Sequence, residues 1–152
     1  MPTHAEKREL PYRPEQLFDL VADIERYPEF LPWCVGARVR SRSREEDLVV
    51  ADLIIGFKLV RERFTSRVKL DRPGLRIDVA YTEGPFRYLN NHWFFEPLGD
   101  GRCRIDFYVD FEFRSAILQR IIGALFNEAV RRMVQAFENR ARKLYGDGAA
   151  AA

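Results

Sequence analysis

Residues 104–113 alternate apolar and polar side chains without a break. The apolar positions are Ile105, Phe107, Val109, Phe111 and Phe113. A period of two over this length predicts a strand with one buried face and one face in water. Alternating runs at residues 62–70 and 75–81, and apolar or aromatic runs at 48–57 and 87–95, predict further strands. A sheet with one apolar face needs another element to cover that face.

Helical patterns occur near the two ends of the chain. Pro14 suits a first helical position, and apolar residues follow it at helical spacing from Leu17 to Ile24. Ser115 predicts the N-cap of a long helix that runs to about Tyr145, where Gly146 can end it. The predicted apolar stripe of this helix is Leu118, Ile122, Leu125, Ala129, Met133, Phe137 and Leu144. Such a helix is roughly 46 Å long and can cover the whole sheet.

Short turn signals between the strands favour antiparallel connections. We therefore expect an α+β fold with a strand, short helices, six strands and a long helix, in which a curved antiparallel sheet wraps around the C-terminal helix. No linker or repeat is visible, so we expect one domain over residues 1–152, ordered from about 5 to 146 with a frayed tail.

Composition excludes several classes of protein. Apolar residues make up 47% of the chain and the formal net charge is +2, which excludes intrinsic disorder. No uncharged stretch approaches the ~20 residues of a membrane-spanning helix, and residues 1–8 lack the apolar core of a secretory signal. We therefore expect a cytoplasmic protein, whose two cysteines are reduced thiols.

The sequence offers little for catalysis. It contains no phosphate-binding glycine loop, no zinc-protease motif and no nucleophile elbow. We interpret His92 as a strand histidine that meets solvent or a hydrogen-bond partner, and the alternating carboxylates Asp106, Asp110 and Glu112 as a solvated face. We therefore expect no catalytic residue, no metal site and no required cofactor.

Arginines form two stripes on the predicted strands. We place them on one basic face, which comprises Arg38, Arg40, Arg42, Arg61, Arg63 and Arg67. This face is either a solvated sheet surface or a patch for anionic lipid headgroups or RNA phosphates. Because no aromatic residues are interleaved with these arginines, single-stranded base recognition is not indicated, and we expect no DNA partner.

Residues 27–34, with the string Tyr-Pro-Glu-Phe-Leu-Pro-Trp-Cys, predict a rigid apolar connection between helix and strand. It is either a core plug or the lip of a cavity. Together with residues 11–26, this string resembles the signature of the coenzyme Q-binding START-like family, which includes the bacterial ribosome association toxins within the polyketide cyclase superfamily. Shorter similarities occur at residues 56–58, 64–68, 84–86, 93–95 and 136–146.

This resemblance implies a helix-grip fold: a seven-stranded antiparallel sheet around a long C-terminal helix, enclosing a hydrophobic tunnel. It implies a non-enzymatic protein that binds ubiquinone or a related isoprenoid as carrier or chaperone and supports respiratory electron transport. Such a protein would be cytoplasmic and peripheral at the inner face of the respiratory membrane. Two alternatives remain: a toxin-like protein that binds the large ribosomal subunit through the basic face, and a polyketide cyclase-like enzyme.

For a carrier, inward-facing apolar residues should line one cavity of ~300 Å³ or more. The sheet would contribute Trp93, Phe95, Phe107, Val109 and Phe111, and the helix Leu125, Phe126 and Met133. We expect Phe30, Leu31, Pro32 and Trp33 to form the mouth together with the helix. The tryptophan suits a site that is dry at one end and wet at the other.

Overall fold

The structure, a computed structural model, describes residues 3–31, 34–43, 45–57 and 60–146. Within these ranges, the side chains of residues 3, 4, 6, 57, 60, 122 and 124–127 are not described. The elements are β1 (Thr3–Leu10), α1 (Pro14–Ala22), the 3₁₀ helix η1 (Ile24–Glu29), β2 (Cys34–Ser43), β3 (Leu48–Phe57), β4 (Val60–Asp71), β5 (Arg76–Glu83), β6 (Phe86–Gly99), β7 (Arg102–Phe113) and α2 (Ala116–Tyr145).

The seven strands form one antiparallel sheet in the order β1-β7-β6-β5-β4-β3-β2. Each strand from β2 to β7 therefore lies beside its neighbour in sequence, as the short turns predict, and β1 pairs with β7. The predicted α+β helix-grip arrangement is confirmed. Inward-facing residues of the sheet form one apolar core with α1, η1 and α2.

Helix α2 begins and ends as predicted. Ser115 Oγ accepts a hydrogen bond from the Leu118 N–H at 3.2 Å, and the Gly146 N–H donates to the Arg142 carbonyl at 2.8 Å. Gly146 has a φ of 75°, a conformation that glycine adopts readily.

The predicted stripe of α2 is wrong at its C-terminal end, because Leu144 is 50% exposed. A strict seven-residue repeat drifts by ~20° per heptad around a straight helix. The buried face instead follows Val130, Val134, Phe137 and Ala141.

The C-terminal half of α2 is held by contacts from Tyr12, from α1 and from η1. The Tyr12 hydroxyl donates to the Gly146 carbonyl at 2.8 Å, and the Tyr145 hydroxyl donates to the Gln16 carbonyl at 3.1 Å. The ring of Phe137 packs edge-on against Tyr27 with 5.5 Å between centroids. These contacts fix the position of α2 over the concave face of the sheet.

A bulge in β2 interrupts the predicted basic face. Val39 lies opposite Ala51 and Ser41 opposite Val50, so Arg40 is an extra residue in the ladder. Because side chains alternate along a strand, an extra residue moves everything after it to the other face.

The prediction that Arg38, Arg40 and Arg42 share one face is therefore wrong for Arg42. Arg38 lies opposite Asp52 on the outer face, whereas Arg42 lies opposite the buried Val49 on the inner face. There the Arg42 guanidinium is 3.6 Å from the Glu25 carboxylate of η1. The alternation in the sequence does not reveal this inversion, because nothing in it marks the bulge.

Both cysteines are buried free thiols. Burial raises the pKa of Cys34 to about 11 and that of Cys103 to about 12. The thiolate fraction at neutral pH is therefore very small, and neither residue is an activated nucleophile.

Candidate ligand-binding cavity

A cavity of about 240 Å³ lies between the concave face of the sheet and the helices. The helical side of its wall is formed by Val21, Ile24, Tyr27, Leu31, Ala129, Val130, Met133 and Phe137. The sheet contributes Ala51, Leu53, Ile55, Gly56, Phe64, Ser66, Val68, Ile77, Val79, Phe86, Leu89, Asn91, Trp93, Phe107, Val109, Phe111 and Phe113.

Small side chains leave room for this cavity. Ala51 on β3 lies directly opposite Ser66 on β4, and both face inwards. Their neighbours along the same face of β4 are the much larger Phe64 and Val68. A close-packed interior leaves few voids, so two small inward residues on adjacent strands create space that the surrounding rings do not fill.

Three polar side chains lie on the described wall: Tyr27, Ser66 and Asn91. The Asn91 amide donates to the Tyr108 carbonyl at 2.9 Å and accepts from Trp93 Nε1 at 3.1 Å. The Tyr27 hydroxyl donates to the Val21 carbonyl. Burial raises the pKa of Tyr27 above its ordinary value, and the nearby Cys34 and Asp23 add to the shift. The Tyr27 phenol is therefore neutral at physiological pH.

None of the described wall residues carries a carboxylate, imidazole, ammonium or guanidinium group. His92, interpreted from the sequence as a strand histidine that meets solvent or a hydrogen-bond partner, lies on the outer face, where its Nδ1 is 2.7 Å from Asp78 Oδ1. No cluster of three or more possible metal-ligating side chains occurs in the part of the chain that the structure describes. The described wall can therefore hold an apolar molecule but offers no charged group to react with it.

The structure brings six of the proposed pocket residues to this wall: Leu31, Trp93, Phe107, Val109, Phe111 and Met133. Pro32 and Trp33 lie outside the described residues, and so do the side chains of Leu125 and Phe126.

Phe95 and Phe30, two other proposed pocket residues, are not on the wall. Phe95 is fully buried in solid core, where its ring meets Phe18 of α1 with 6.1 Å between centroids. Phe30 is half-buried and packs on Phe137 with 5.2 Å between centroids. The expected position of Phe95 on the wall is wrong, because Phe18 of α1 packs on its ring, whereas the position of Phe30 at the mouth stays a prediction.

The cavity is smaller than the ~300 Å³ expected for a pocket that encloses a drug-sized ligand. Such a space fits one six-membered ring or a short piece of isoprenoid chain.

A family described as polyketide cyclase / dehydrase and lipid transport matches residues 10–138. The chain belongs to this family. The chain is 41% identical over 138 residues to the ribosome association toxin RatA of Rickettsia prowazekii, covering 89% of this chain and 92% of the toxin. It is 35% identical over 147 residues to the mitochondrial coenzyme Q-binding protein COQ10 homolog B of Xenopus laevis, covering 94% of this chain and 59% of that protein.

Among solved structures, the chain is similar to an 18 kDa protein from Caulobacter crescentus, with a TM-score of 0.79 and 38% sequence identity. The similarity covers 96% of this chain and 99% of that protein. Both the fold and the family expected from the sequence resemblance are therefore confirmed.

The outer face of this family member carries arginines in two different situations. Arg38, Arg61, Arg63 and Arg67 are exposed and form no ion pair with any described residue. Arg40, in contrast, donates from Nε to Asp52 Oδ2 at 2.8 Å. Four arginines of the predicted basic face are thus available to an anionic partner, and Arg40 and Arg42 are engaged within the protein.

Asp52, which the sequence analysis did not single out, lies buried beneath this face. Burial alone would raise its pKa, but hydrogen bonds from Thr65 and Arg40, with the charges of Arg40 and Arg63, hold the pKa below its ordinary value. The sequence analysis also did not single out Ser66, Asn91 and Ala51 as residues of the cavity wall. The available signal was a small or polar residue at an inward position of an alternating run.

No helix among the described residues is both long enough and apolar enough to span a membrane.

Proposed function

We propose that this protein binds a neutral isoprenoid lipid, ubiquinone or a close relative, in its cavity and leaves it chemically unchanged. As a carrier or chaperone of this lipid it would support respiratory electron transport. The observation that carries the proposal is the described cavity wall, which is apolar, aromatic and free of charged groups. The similarity to a protein named for coenzyme Q binding supports the same ligand class.

The uncharged wall selects among lipids. A fatty acid or phospholipid headgroup would bring an ionised group into the cavity, and burial of an unpaired charge is strongly unfavourable. A quinone ring carries only neutral carbonyl and methoxy oxygens, so it can enter without that penalty. The wall therefore favours a neutral lipid.

The same wall supports binding without chemistry. General acid–base catalysis needs a titratable group poised near the working pH. The described wall offers only the Tyr27 phenol, whose pKa is raised and whose proton is held by the Val21 carbonyl. This arrangement does not favour the cyclase-like alternative.

The volume of the cavity limits which part of the ligand can enter it. A cavity of about 240 Å³ holds a ring but not a ring with a long isoprenoid tail. We infer that the ring enters the cavity and that the tail follows the gap between sheet and helix outwards. Loading from a bilayer would then require a peripheral approach to the respiratory membrane.

Lipid extraction tests the proposal. The protein is purified without detergent, extracted with organic solvent and analysed by mass spectrometry, and the emptied protein is titrated with a short-tailed ubiquinone while tryptophan fluorescence is recorded. Trp93 lies on the wall and should report binding. We expect co-purifying isoprenoid quinone and saturable titration. Enrichment of fatty acids or phospholipids without quinone would contradict the proposal.

A second function has its own support. Relatives over nearly the full chain carry the name ribosome association toxin, and the outer face presents Arg38, Arg61, Arg63 and Arg67 without internal partners among the described residues. Unpaired arginines suit phosphate recognition. Contact with the large ribosomal subunit through this face is the alternative proposal, and it does not require the cavity.

A further inference from the structure

The Ser66 hydroxyl is a buried polar group on the cavity wall. Ser66 is 2% exposed and lies on the inner face of β4 between Phe64 and Val68. Its Oγ forms no hydrogen bond with a described residue and borders the cavity, where a guest molecule or water can reach it. A hydroxyl on an otherwise apolar wall can donate one hydrogen bond to such a guest.

The other polar side chains on the described wall already have partners within the protein. Asn91 joins the Tyr108 carbonyl to Trp93 Nε1, and the Tyr27 hydroxyl is held by a backbone carbonyl. The indole N–H of Trp93, which is the one donor of that side chain, is therefore already engaged. Asn91 keeps a second amide N–H, but two bonds already hold its side chain, whereas Ser66 forms no bond with a described residue.

We propose that Ser66 Oγ donates a hydrogen bond to a neutral oxygen of the bound lipid and thereby fixes its polar end against β4. This inference rests on the proposed function and names its recognition contact. In a quinone the acceptor is a ring carbonyl oxygen. The small Ala51 opposite Ser66 leaves room for the ring beside the hydroxyl.

The chemistry at this point favours a carbonyl over a carboxylate. A carboxylate is ionised, and the described wall holds no cation to pair with it. A single hydroxyl instead satisfies one carbonyl lone pair. The site therefore distinguishes a quinone from an isoprenoid hydrocarbon of the same shape, which has no acceptor.

The test compares the wild type with Ser66→Ala and Tyr145→Phe. Dissociation constants are measured for a short-tailed ubiquinone and for an isoprenoid hydrocarbon of similar length. We expect Ser66→Ala to weaken quinone binding about 3- to 10-fold, the effect of one neutral hydrogen bond. Hydrocarbon affinity should not change, and Tm should stay close to that of the wild type because the substitution removes no hydrogen bond to a described residue.

Tyr145→Phe is the matched control, since it removes one hydroxyl that lies away from the cavity wall. This hydroxyl donates to the Gln16 carbonyl, so its loss should lower Tm while the ratio of quinone to hydrocarbon affinity is kept. Infrared spectra of quinone labelled with ¹³C at its carbonyls give a second measurement. The wild type should lower the carbonyl stretching frequency, and Ser66→Ala should restore it.

The outcomes separate the two proposals. A wild type that binds no quinone overturns the proposed function and this inference with it. A wild type that binds quinone, together with a Ser66→Ala variant of equal affinity and unchanged carbonyl frequency, overturns this inference alone.

Discussion

Arg140 of α2 and Glu29 of η1 form an ion pair across 111 residues of sequence, with Arg140 Nη2 donating to Glu29 Oε1 at 2.8 Å. The Arg140 side chain is 9% exposed and its guanidinium carbon lies 5.2 Å from the centre of the Phe30 ring. One buried arginine thus holds the segment that leads into β2 against the terminal helix.

We expect Arg140→Ala to lower the free energy of unfolding by about 2 kcal/mol, between the effects typical of exposed and buried ion pairs, because Glu29 is half exposed. Arg142→Ala, at an exposed position two residues further along the same helix, should change the free energy of unfolding by less than ~0.5 kcal/mol. Urea unfolding measures both. Equal effects in the two variants would show that the pair contributes nothing.

Asp52 should make stability depend on pH in acid. Its pKa is lower in the folded protein than the ~3.9 of an unfolded chain, so the stabilisation is present above that value and is lost as the pH falls through the folded pKa. At pH 7 we expect Asp52→Asn to cost about 1–3 kcal/mol, as for hydrogen bonds to a charged group.

The cost of Asp52→Asn should shrink below pH 4, as measured by urea unfolding from pH 7 to pH 2.5. Asp106→Asn on the outer face changes net charge equally and serves as the control. A cost that stays constant over this range would exclude Asp52 as the source of the pH dependence.

Filling the cavity should separate ligand binding from stability. Ala51 borders the empty space, so Ala51→Leu should extend into it, keep or raise Tm, and weaken quinone binding at least 10-fold by displacing the ring. Ala141 is fully buried away from the cavity wall, and Ala141→Leu should overpack the core and cost about 1–3 kcal/mol. If Ala51→Leu bound quinone as tightly as the wild type, the ligand would have to bind elsewhere.

The outer arginines should matter for anionic partners. We expect the triple variant Arg61→Ser, Arg63→Ser, Arg67→Ser to weaken binding to isolated large ribosomal subunits in a salt-dependent way, since each phosphate contact releases counterions. Arg42→Ser should have little effect, because the bulge places Arg42 on the other face beside Glu25.

Sedimentation with ribosomal subunits and with anionic and neutral vesicles, at two salt concentrations, distinguishes the possible partners. Loss of vesicle binding alone in the triple variant would favour a membrane role for this face. Equal losses in the triple variant and in Arg42→Ser would argue against a specific face.

The sequence predicts the fold well because alternation and helix caps are local signals. Ser115 and Gly146 mark the ends of α2, and the alternating runs mark the strands. Alternation predicts which residues face the inside of the sheet, but it does not predict whether each of them borders the cavity or packs against another element. Trp93 and Phe95 are two residues apart on one face, yet Phe95 is covered by Phe18 of another element and Trp93 borders a void.

The remaining differences also depend on tertiary packing. Whether Ala51 and Ser66 leave a gap depends on where α2 rests against the sheet, which no local pattern states. The bulge at Arg40 adds one residue to β2, and no glycine next to Arg40 indicates it in the sequence. Its effect, the inversion of Arg42, appears only once both neighbouring strands are in register.

The pairing of β1 with β7 has a consequence for synthesis on the ribosome. Leu10 pairs with Cys103 and Thr3 with Asp110. Strand β1 therefore cannot pair until β7, roughly 100 residues later in the chain, has been synthesised. At ~5–20 residues per second this delay is about 5–20 s. Until then β6, β7 and α2, which supply much of the cavity wall, are incomplete. The complete cavity therefore forms only after β7 and α2 have been made, and a lipid of the proposed kind should enter it after translation.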